Sequence, residues 1–306
     1  MLQLAYVATL YLCTMALSLE DIKRLVIIAM ASDDELMETL VLKGGNAIDL
    51  LYQGRKEGLS RSSYDLDFSM EGDFDKDIDE ISGRIERTLS KTFSEYGVIV
   101  FDYKFALKPS VMRDEFKDFW GGYNVSFKIT TPEYVKEAVE NMDKLRRAAI
   151  SIMPNGSPKF EIEISKYEYV GGKMETKVDG YQIYIYSPEM IVFEKVRAVC
   201  QQLPRYKEVI SSHSPRPRAR DFYDIYLLMD QYKIDPSAGD NKVLLSNIFS
   251  AKKVPVEFIQ YIGDHLDIHR QDWQNVLDTL SAKEEVQPFD FYANFLLRQY
   301  QPLTFP

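Results

Sequence analysis

The sequence is poor in the residues that build disulfide scaffolds and soft-metal sites. Cys13 and Cys200 are the 2 cysteines in 306 residues. So few exclude a disulfide framework and a cysteine zinc site, and fit a reducing cytoplasm. Histidine is scarce as well, with His213, His265 and His269 the 3 present. His265 and His269 stand four apart and could share a helical face. Without a third ligand they read as solvated or capping side chains rather than a metal site. An excess of positive charge is also lacking: Lys and Arg total 37 against 47 Asp and Glu, a formal charge of −10. That balance argues against indiscriminate coating of nucleic acid and leaves room for a local basic cleft. Repeats and low-complexity tracts are absent. One long uncharged run occurs, LQLAYVATLYLCTMALSL at 2–19. It is long enough for a bilayer span or a secretory signal, yet no lysine or arginine precedes it and no A-x-A-like cleavage site follows. It runs into SLEDIKRLVIIAMA, where Ser18 reads as a helix cap with Asp21 at the third position. The run is therefore read as an element packed on the body, with no stable membrane insertion expected. A membrane segment and an upstream-extended gene start are the competing readings.

What is present is ample apolar material. Hydrophobic residues make up 45% of the chain, with 20 tyrosines and 17 phenylalanines, which argues against disorder. The length suits one large domain or two ordinary ones. Helical spacing runs through Ile22, Leu25, Val26 and Met30. TLVLKGG (39–45) reads as a short buried strand closed by a glycine turn, and NAIDLLYQ (46–53) as a helix. QGRKEGLS (53–60) is a polar connection, and YDLDFSM (64–70) alternates as a strand does. Residues 75–97 form a long amphipathic helix on Ile78, Ile81, Ile85 and Leu89, led by acid near its N-terminal dipole. Strands are expected at 98–107, 123–130, 159–165 and 181–187, with one helix over 132–150. From Ser187 the pattern is helical, over SPEMIVFEKVRAVCQQL, DFYDIYLLMDQY, 241–251, 254–264, 268–281 and 288–299. The fold class expected is α+β, with a mixed-sheet α/β domain over 1–186 and an all-helical domain over 187–306.

The chemistry concentrates in RSSYDLDFS (61–69). Alternation puts Asp65 and Asp67 on one strand face while Leu66 and Phe68 enter the core. Two like charges so placed repel unless a cation lies between them, and a divalent metal with oxygen ligands suits that role. Upstream, Gly44 and Gly45 close a strand and open a helix, an arrangement that offers backbone N–H groups and the helix dipole to an anion such as phosphate. Each feature is common alone. Their order is more specific: strand, Gly-Gly, helix, loop, then R-x-S-x-D-x-D on the next strand.

That order resembles the nucleotidyltransferase fold related to DNA polymerase β, and in detail the AbiEii/AbiGii abortive-infection toxin family. The resemblance rests on LVLKGGNAIDLLY (40–52), RSSYDLDFS (61–69), FEKVRA (193–198) and RARDFYDIYLL (218–228). It implies that Gly44 and Gly45 hold a triphosphate, that Arg61 and Ser63 precede the metal pair, and that Asp65 and Asp67 ligate Mg²⁺ or Mn²⁺. A third carboxylate is expected from KFEIEIS, where Glu163 is preferred over Glu161; a solvated strand face is the competing reading. Glu194, Lys195 and Ala198 match a family helix whose lysine touches nucleotide phosphate. Arg220, Asp221 and Asp224 match the last motif. Asn46 departs from the pattern, since a small hydroxyl residue is expected there, and the 53–60 connection is longer than expected.

The resemblance implies metal-assisted transfer of a nucleotide from an NTP, with release of pyrophosphate. Glu163 would help bind metal and accept the hydroxyl proton. Arg61 would either stabilise developing charge or lock the strand against an aspartate. It further implies a toxin of a phage-defence toxin–antitoxin pair that acts on RNA, in particular a tRNA 3′ end. Its partner is a separately encoded antitoxin, expected to be a DNA-binding repressor. The basic run Arg205, Lys207, Arg216, Arg218 and Arg220, with Tyr206 among them, could meet an RNA backbone or be a solvated loop. A small-molecule acceptor and a non-catalytic nucleotide- or partner-binding module are the alternatives.

Overall fold

The computed structural model describes residues 17–52, 65–137, 141–153, 155–280 and 285–304. Arg61, Ser63, the 53–60 connection and most of the apolar run at 2–19 lie outside the described residues. Helix α1 (Leu19–Ala31) starts where the sequence indicates. Ser18 Oγ accepts the Asp21 N–H at 3.1 Å and Asp21 Oδ2 accepts the Ser18 N–H at 2.9 Å, closing a capping box. Among the described residues no helix is long and apolar enough to cross a membrane.

After helix α2 (Asp34–Thr39) comes β1 (Val41–Lys43), then α3 (Gly44–Tyr52), which begins at the glycines themselves. Strand β2 (Leu66–Ser69) and the amphipathic α4 (Ile78–Glu95) follow, then β3 (Ile99–Lys108) and β4 (Gly122–Thr130). Next are β5 (Phe160–Ser165), β6 (Met174–Val178) and β7 (Tyr181–Ile185). They form one seven-stranded mixed sheet ordered β3-β4-β5-β2-β1-β7-β6. Strand β6 is an edge strand, polar and largely exposed, so it lacks the apolar alternation that marks the others.

Two further readings need correction. The single helix expected over 132–150 is instead two short helices, α5 (Pro132–Glu137) and α6 (Met142–Arg147). Asn141 starts the second by accepting the backbone N–H groups of Asp143 and Lys144, each at 3.1 Å, a cap that one continuous helix would not contain. The segments read as helices at 254–264 and 268–281 are a 3₁₀ stretch (Val256–His265) followed by the short α-helices Leu266–Arg270 and Trp273–Leu277.

Strand β3 carries a bulge. Phe101 pairs with Lys128 and Lys104 with Ser126, so three steps on one strand match two on the other. Asp102 sits there with a left-handed φ of 52°. Its carboxylate fixes the kink by accepting from Lys128 Nζ at 2.7 Å and Arg146 Nη2 at 3.0 Å.

The described elements from Pro188 onward are helical, chiefly α7 (Pro188–Cys200), α8 (Ala219–Tyr232), α9 (Gly239–Ala251) and a last helix, Phe289–Tyr300. One apolar cluster runs without a break from Ile22 through Phe127 and Phe193 to Tyr300, so the sheet and these helices share a core. Glu168, buried beside that seam, joins them electrostatically. It accepts from Arg197 Nη1 on α7 at 2.7 Å and lies 3.6 Å from Lys43 Nζ on β1 and 3.4 Å from Lys252 Nζ after α9. Burial works against its charge, but Arg197, Lys43 and Lys252 outweigh that and hold its carboxyl well below the usual range. His269 is not solvated but caps a helix: only 1% exposed, its Nδ1 accepts the N–H of Arg218, the residue before α8, at 3.0 Å. Burial, the main cause, pulls its pKa down to about 4.

Two outcomes are expected. Glu168→Gln removes the buried carboxylate facing Lys252 and leaves Arg197 and Lys43 with Glu194 alone, and lowers unfolding free energy in urea by about 3 kcal/mol; no measurable change would show the network to be dispensable. The second concerns acid. His269 is neutral in the folded state and takes up a proton more readily when unfolded, so its share of stability is present above pH ~6.5 and lost as pH falls toward ~4, up to roughly 3 kcal/mol. His269→Gln should lose less stability than wild type over that window, measured by urea unfolding at a series of pH values.

Candidate functional site

The sheet's hydrogen-bond register assembles the acidic site. Strand β1 pairs antiparallel with β2, setting Lys43 against Asp67, and β2 pairs parallel with β5, setting Asp67 against Glu163. Leu66, Phe68, Ile162 and Ile164 are buried on the core side, which forces the alternating acids to the other face. Asp65, just before β2, joins them. Burial and then Glu163 and Glu161 raise the Asp65 pKa, while burial, opposed by Lys43 and aided by Glu163, Glu194 and Asp65, pushes Asp67 up to about 6.

Gly44 shows why its position needs glycine. Its φ is +66°, and a Cβ there would stand 3.1 Å from Asp67 Oδ2. The first turn of α3 therefore lies directly against the acid, with Gly44 and Gly45 lining the same cavity. Asn46, the departure from the expected hydroxyl residue, has a defined role here. Its Nδ2 donates to the Asp65 backbone carbonyl at 2.6 Å and ties the loop to the acidic strand.

Of the two candidate third acids, Glu163 is the register partner of Asp67, and it is ion-paired with Lys108 at the end of β3. Glu161 is engaged elsewhere, accepting from Asn124 Nδ2 at 3.4 Å and pairing with Lys159 Nζ at 2.8 Å. A hydrogen bond from Lys159 is the main cause that lowers its pKa. Among the described residues, no group of three or more His, Cys, Asp or Glu is arranged to hold a metal ion. The donor chemistry nevertheless suits a hard divalent cation: burial first, and neighbouring carboxylates with it, raise the proton affinity of Asp65 and Asp67, and the Lys108 ammonium is paired with Glu163 as a cation. Asp65 and Asp67 with Glu163 would hold such an ion jointly with oxygens of a bound substrate.

Asp67 and Glu163 open on a cavity of about 880 Å³ between the sheet and the helices. Lys195 lines it, its Nζ 2.8 Å from both Asp221 Oδ1 and Asp224 Oδ2. The lysine expected to meet phosphate is thus clamped between the two acids of the last motif. Asp224 is buried behind the pair, and Arg220 lines the cavity. The basic run divides. Arg216, Arg218 and Arg220 line the cavity, whereas Arg205 stacks 3.4 Å over the Tyr261 ring. Tyr206, read as a possible RNA contact, is a core residue whose hydroxyl accepts from Gln201 at 3.0 Å.

Several residues here carried no role in the sequence. Lys43 donates to Glu194 Oε1 at 3.0 Å and to Ser165 Oγ at 3.1 Å. Burial opposes its charge, but Glu194 and Glu168 dominate and hold its pKa above the usual lysine range. Its place immediately before Gly44 was the one available signal. Lys108, Trp120, Glu168, Arg197 and Lys252 also line the cavity. Burial lowers the Lys252 pKa to about 8.

No curated protein matches the chain. Among solved structures, JHP933 from Helicobacter pylori is 17% identical, over 92% of this chain and 90% of its own, at a TM-score of 0.47. An antigenic nucleotidyltransferase-like protein from Paracoccidioides brasiliensis is also 17% identical, over 76% of this chain and 93% of its own, at a TM-score of 0.35. At those scores neither likeness bears on the site. The family described as Nucleotidyl transferase AbiEii toxin, Type IV TA system, matches residues 27–294. That span takes in the glycine turn, the acidic strands and the Lys195–Asp221–Asp224 cluster, and the chain belongs to the AbiEii nucleotidyl transferase toxin family of type IV toxin–antitoxin systems.

Proposed function

We propose that this chain transfers a nucleotidyl group from an NTP to a hydroxyl of RNA, in particular a tRNA 3′ end, and so acts as the toxin of its pair. The observation that carries the reading is the register that sets Asp67 beside Glu163, with the Gly44 turn packed against Asp67. The N–H groups of the first turn of α3 bind the triphosphate at the positive end of the helix. Asp65, Asp67 and Glu163 would hold Mg²⁺ or Mn²⁺, which when bound would supply neutralisation of phosphate charge. The acceptor hydroxyl oxygen bonds to the α-phosphorus, the bond from that phosphorus to the bridging oxygen breaks, and pyrophosphate leaves. Glu163 accepts the hydroxyl proton, with Lys108 ion-paired beside it. Lys195, Arg218 and Arg220 add positive potential for the phosphates, with Asp221 and Asp224 setting the position of Lys195.

RNA is favoured as acceptor over a small molecule because the cavity wall carries more cations than carboxylates although the chain as a whole is at −10. A type IV toxin implies an antitoxin partner, and we take that partner to be a separately encoded DNA-binding repressor.

The test incubates the protein with Mg²⁺, each labelled NTP in turn and total bacterial RNA, alongside Asp65→Ala,Asp67→Ala. Label in a discrete RNA band with wild type alone is expected, with a loss of at least ~100-fold in the double variant. Label only in small molecules would move the acceptor to that class, and no NTP binding with Mg²⁺ would leave a binding module. A second outcome separates activity from folding. Asp67 is held charged at neutral pH against burial and its neighbours, so Asp67→Asn should abolish transfer while raising unfolding free energy by roughly 2 kcal/mol at pH 7. A variant that is inactive and also less stable would assign Asp67 to the scaffold instead.

A further inference from the structure

The sheet order separates the two sides of the proposed reaction. The glycine turn rises from β1 and the acids stand on β2 and β5, while β4 and β3 continue on the far side of Glu163. In-line displacement needs the attacking hydroxyl opposite the departing pyrophosphate. With the pyrophosphate held at Gly44, the hydroxyl must arrive from the side of β4 and β3. A second cavity of about 280 Å³ lies there and shares Lys108, Pro109, Trp120 and Gly122 with the larger one. Its wall adds Lys117, Lys166 and Tyr167.

This corner is built with unusual care for a loop. Gly122 packs so closely that a Cβ would stand 2.0 Å from the Ile164 carbonyl oxygen, beside the catalytic strand. Tyr167 adopts a left-handed φ of 56°, a strained conformation for a tyrosine. Lys252 reaches in from the helices to donate to the Phe119 carbonyl at 3.3 Å and the Lys166 carbonyl at 2.5 Å, and its Nζ lies 5.7 Å from the Trp120 ring centroid. Trp120 itself is only half-buried, so a rigidly supported aromatic remains accessible between the two cavities. An aromatic platform with cations at its edge is the chemistry that receives an unstacked base and its phosphate.

We infer that Trp120 and the cavity beside it, edged by Lys108 and Lys117, form the acceptor subsite, which receives the unpaired 3′-terminal nucleotide of RNA by stacking. The inference rests on the nucleotidyl-transfer reading and adds which wall meets the acceptor. It also requires that end to be single-stranded, because a base still paired in a duplex cannot lie on Trp120.

The chain has 2 tryptophans. The other, Trp273, is packed against Phe289 and Tyr292, so Trp273→Phe leaves Trp120 as the sole reporter. Titrating that variant with a short single-stranded oligoribonucleotide should quench its fluorescence saturably, whereas a blunt RNA duplex and a non-hydrolysable NTP analogue with Mg²⁺ should not. Trp120→Ala should raise KM for the RNA about tenfold and leave KM for the NTP unchanged. Quenching by the NTP analogue but not by RNA would place Trp120 on the nucleotide side and overturn the subsite while leaving nucleotidyl transfer intact. Equal quenching by duplex and single strand would overturn the requirement for an unpaired end. Absence of label transfer in wild type, with RNA quenching preserved, would remove the transfer reading and keep an RNA-end site. If Trp120→Ala fails to fold, the fluorescence titration decides alone.

Discussion

A single buried carboxylate, that of Glu168, organises the junction between the sheet and the helices. It faces Lys43 from the strand that ends at the glycine turn, Arg197 from the helix behind the cavity and Lys252 from the helical end of the chain. Three cations cannot be gathered inside a protein without an anion among them, and an anion cannot be buried without donors around it. Sheet and helices are therefore mutually required near the cavity. The same arrangement links both walls of the site. Lys43 leads into the glycine turn, and Lys252 holds the Phe119 and Lys166 carbonyls at the opposite corner.

The acidic cluster itself works against folding. Asp65, Asp67 and Glu163 face one another across adjacent strands, and the apolar alternation behind them leaves no other orientation open. The core thus imposes a repulsion that only a cation relieves, and Lys108 offers partial relief at Glu163. Electrostatic tension of this kind is what a site for a charged substrate requires, since binding then releases it.

Much of this was legible in the sequence, and the reasons are local. Alternation in YDLDFSM and KFEIEIS fixes which face each acid takes, and the Gly-Gly marks where a strand ends and a helix begins, so the placement of Asp67, Glu163 and Gly44 could be read from neighbours a few residues away. The Ser18 cap and the amphipathic helix over 78–95 were legible on the same grounds. The Glu168 cluster was not. Its members come from four separate segments, and a buried lysine or glutamate has no periodic signature that distinguishes it from a solvated one. Lys195 lines the cavity, but its two carboxylate partners could not be read from the sequence as clamping it. The split of 132–150 and the 3₁₀ segment at 256–265 were lost for another reason: apolar spacing fits several helical forms, and a cap such as Asn141 competes with the residues around it only in three dimensions.

The bulge at Asp102 reaches further than its local kink. With the extra residue, Lys108 stands opposite Gly122; without it, simple pairing from Phe101 and Lys128 would bring Leu107 to that place. The parity of the strand therefore decides whether a cation or an alkyl group meets Glu163. In this segment the count of residues carries information that their identity does not. A single-residue deletion between Ile99 and Lys104 would exchange the two faces of the strand that follows. The Asp102 carboxylate, anchored to Lys128 and Arg146, acts as the register stop that keeps that count odd.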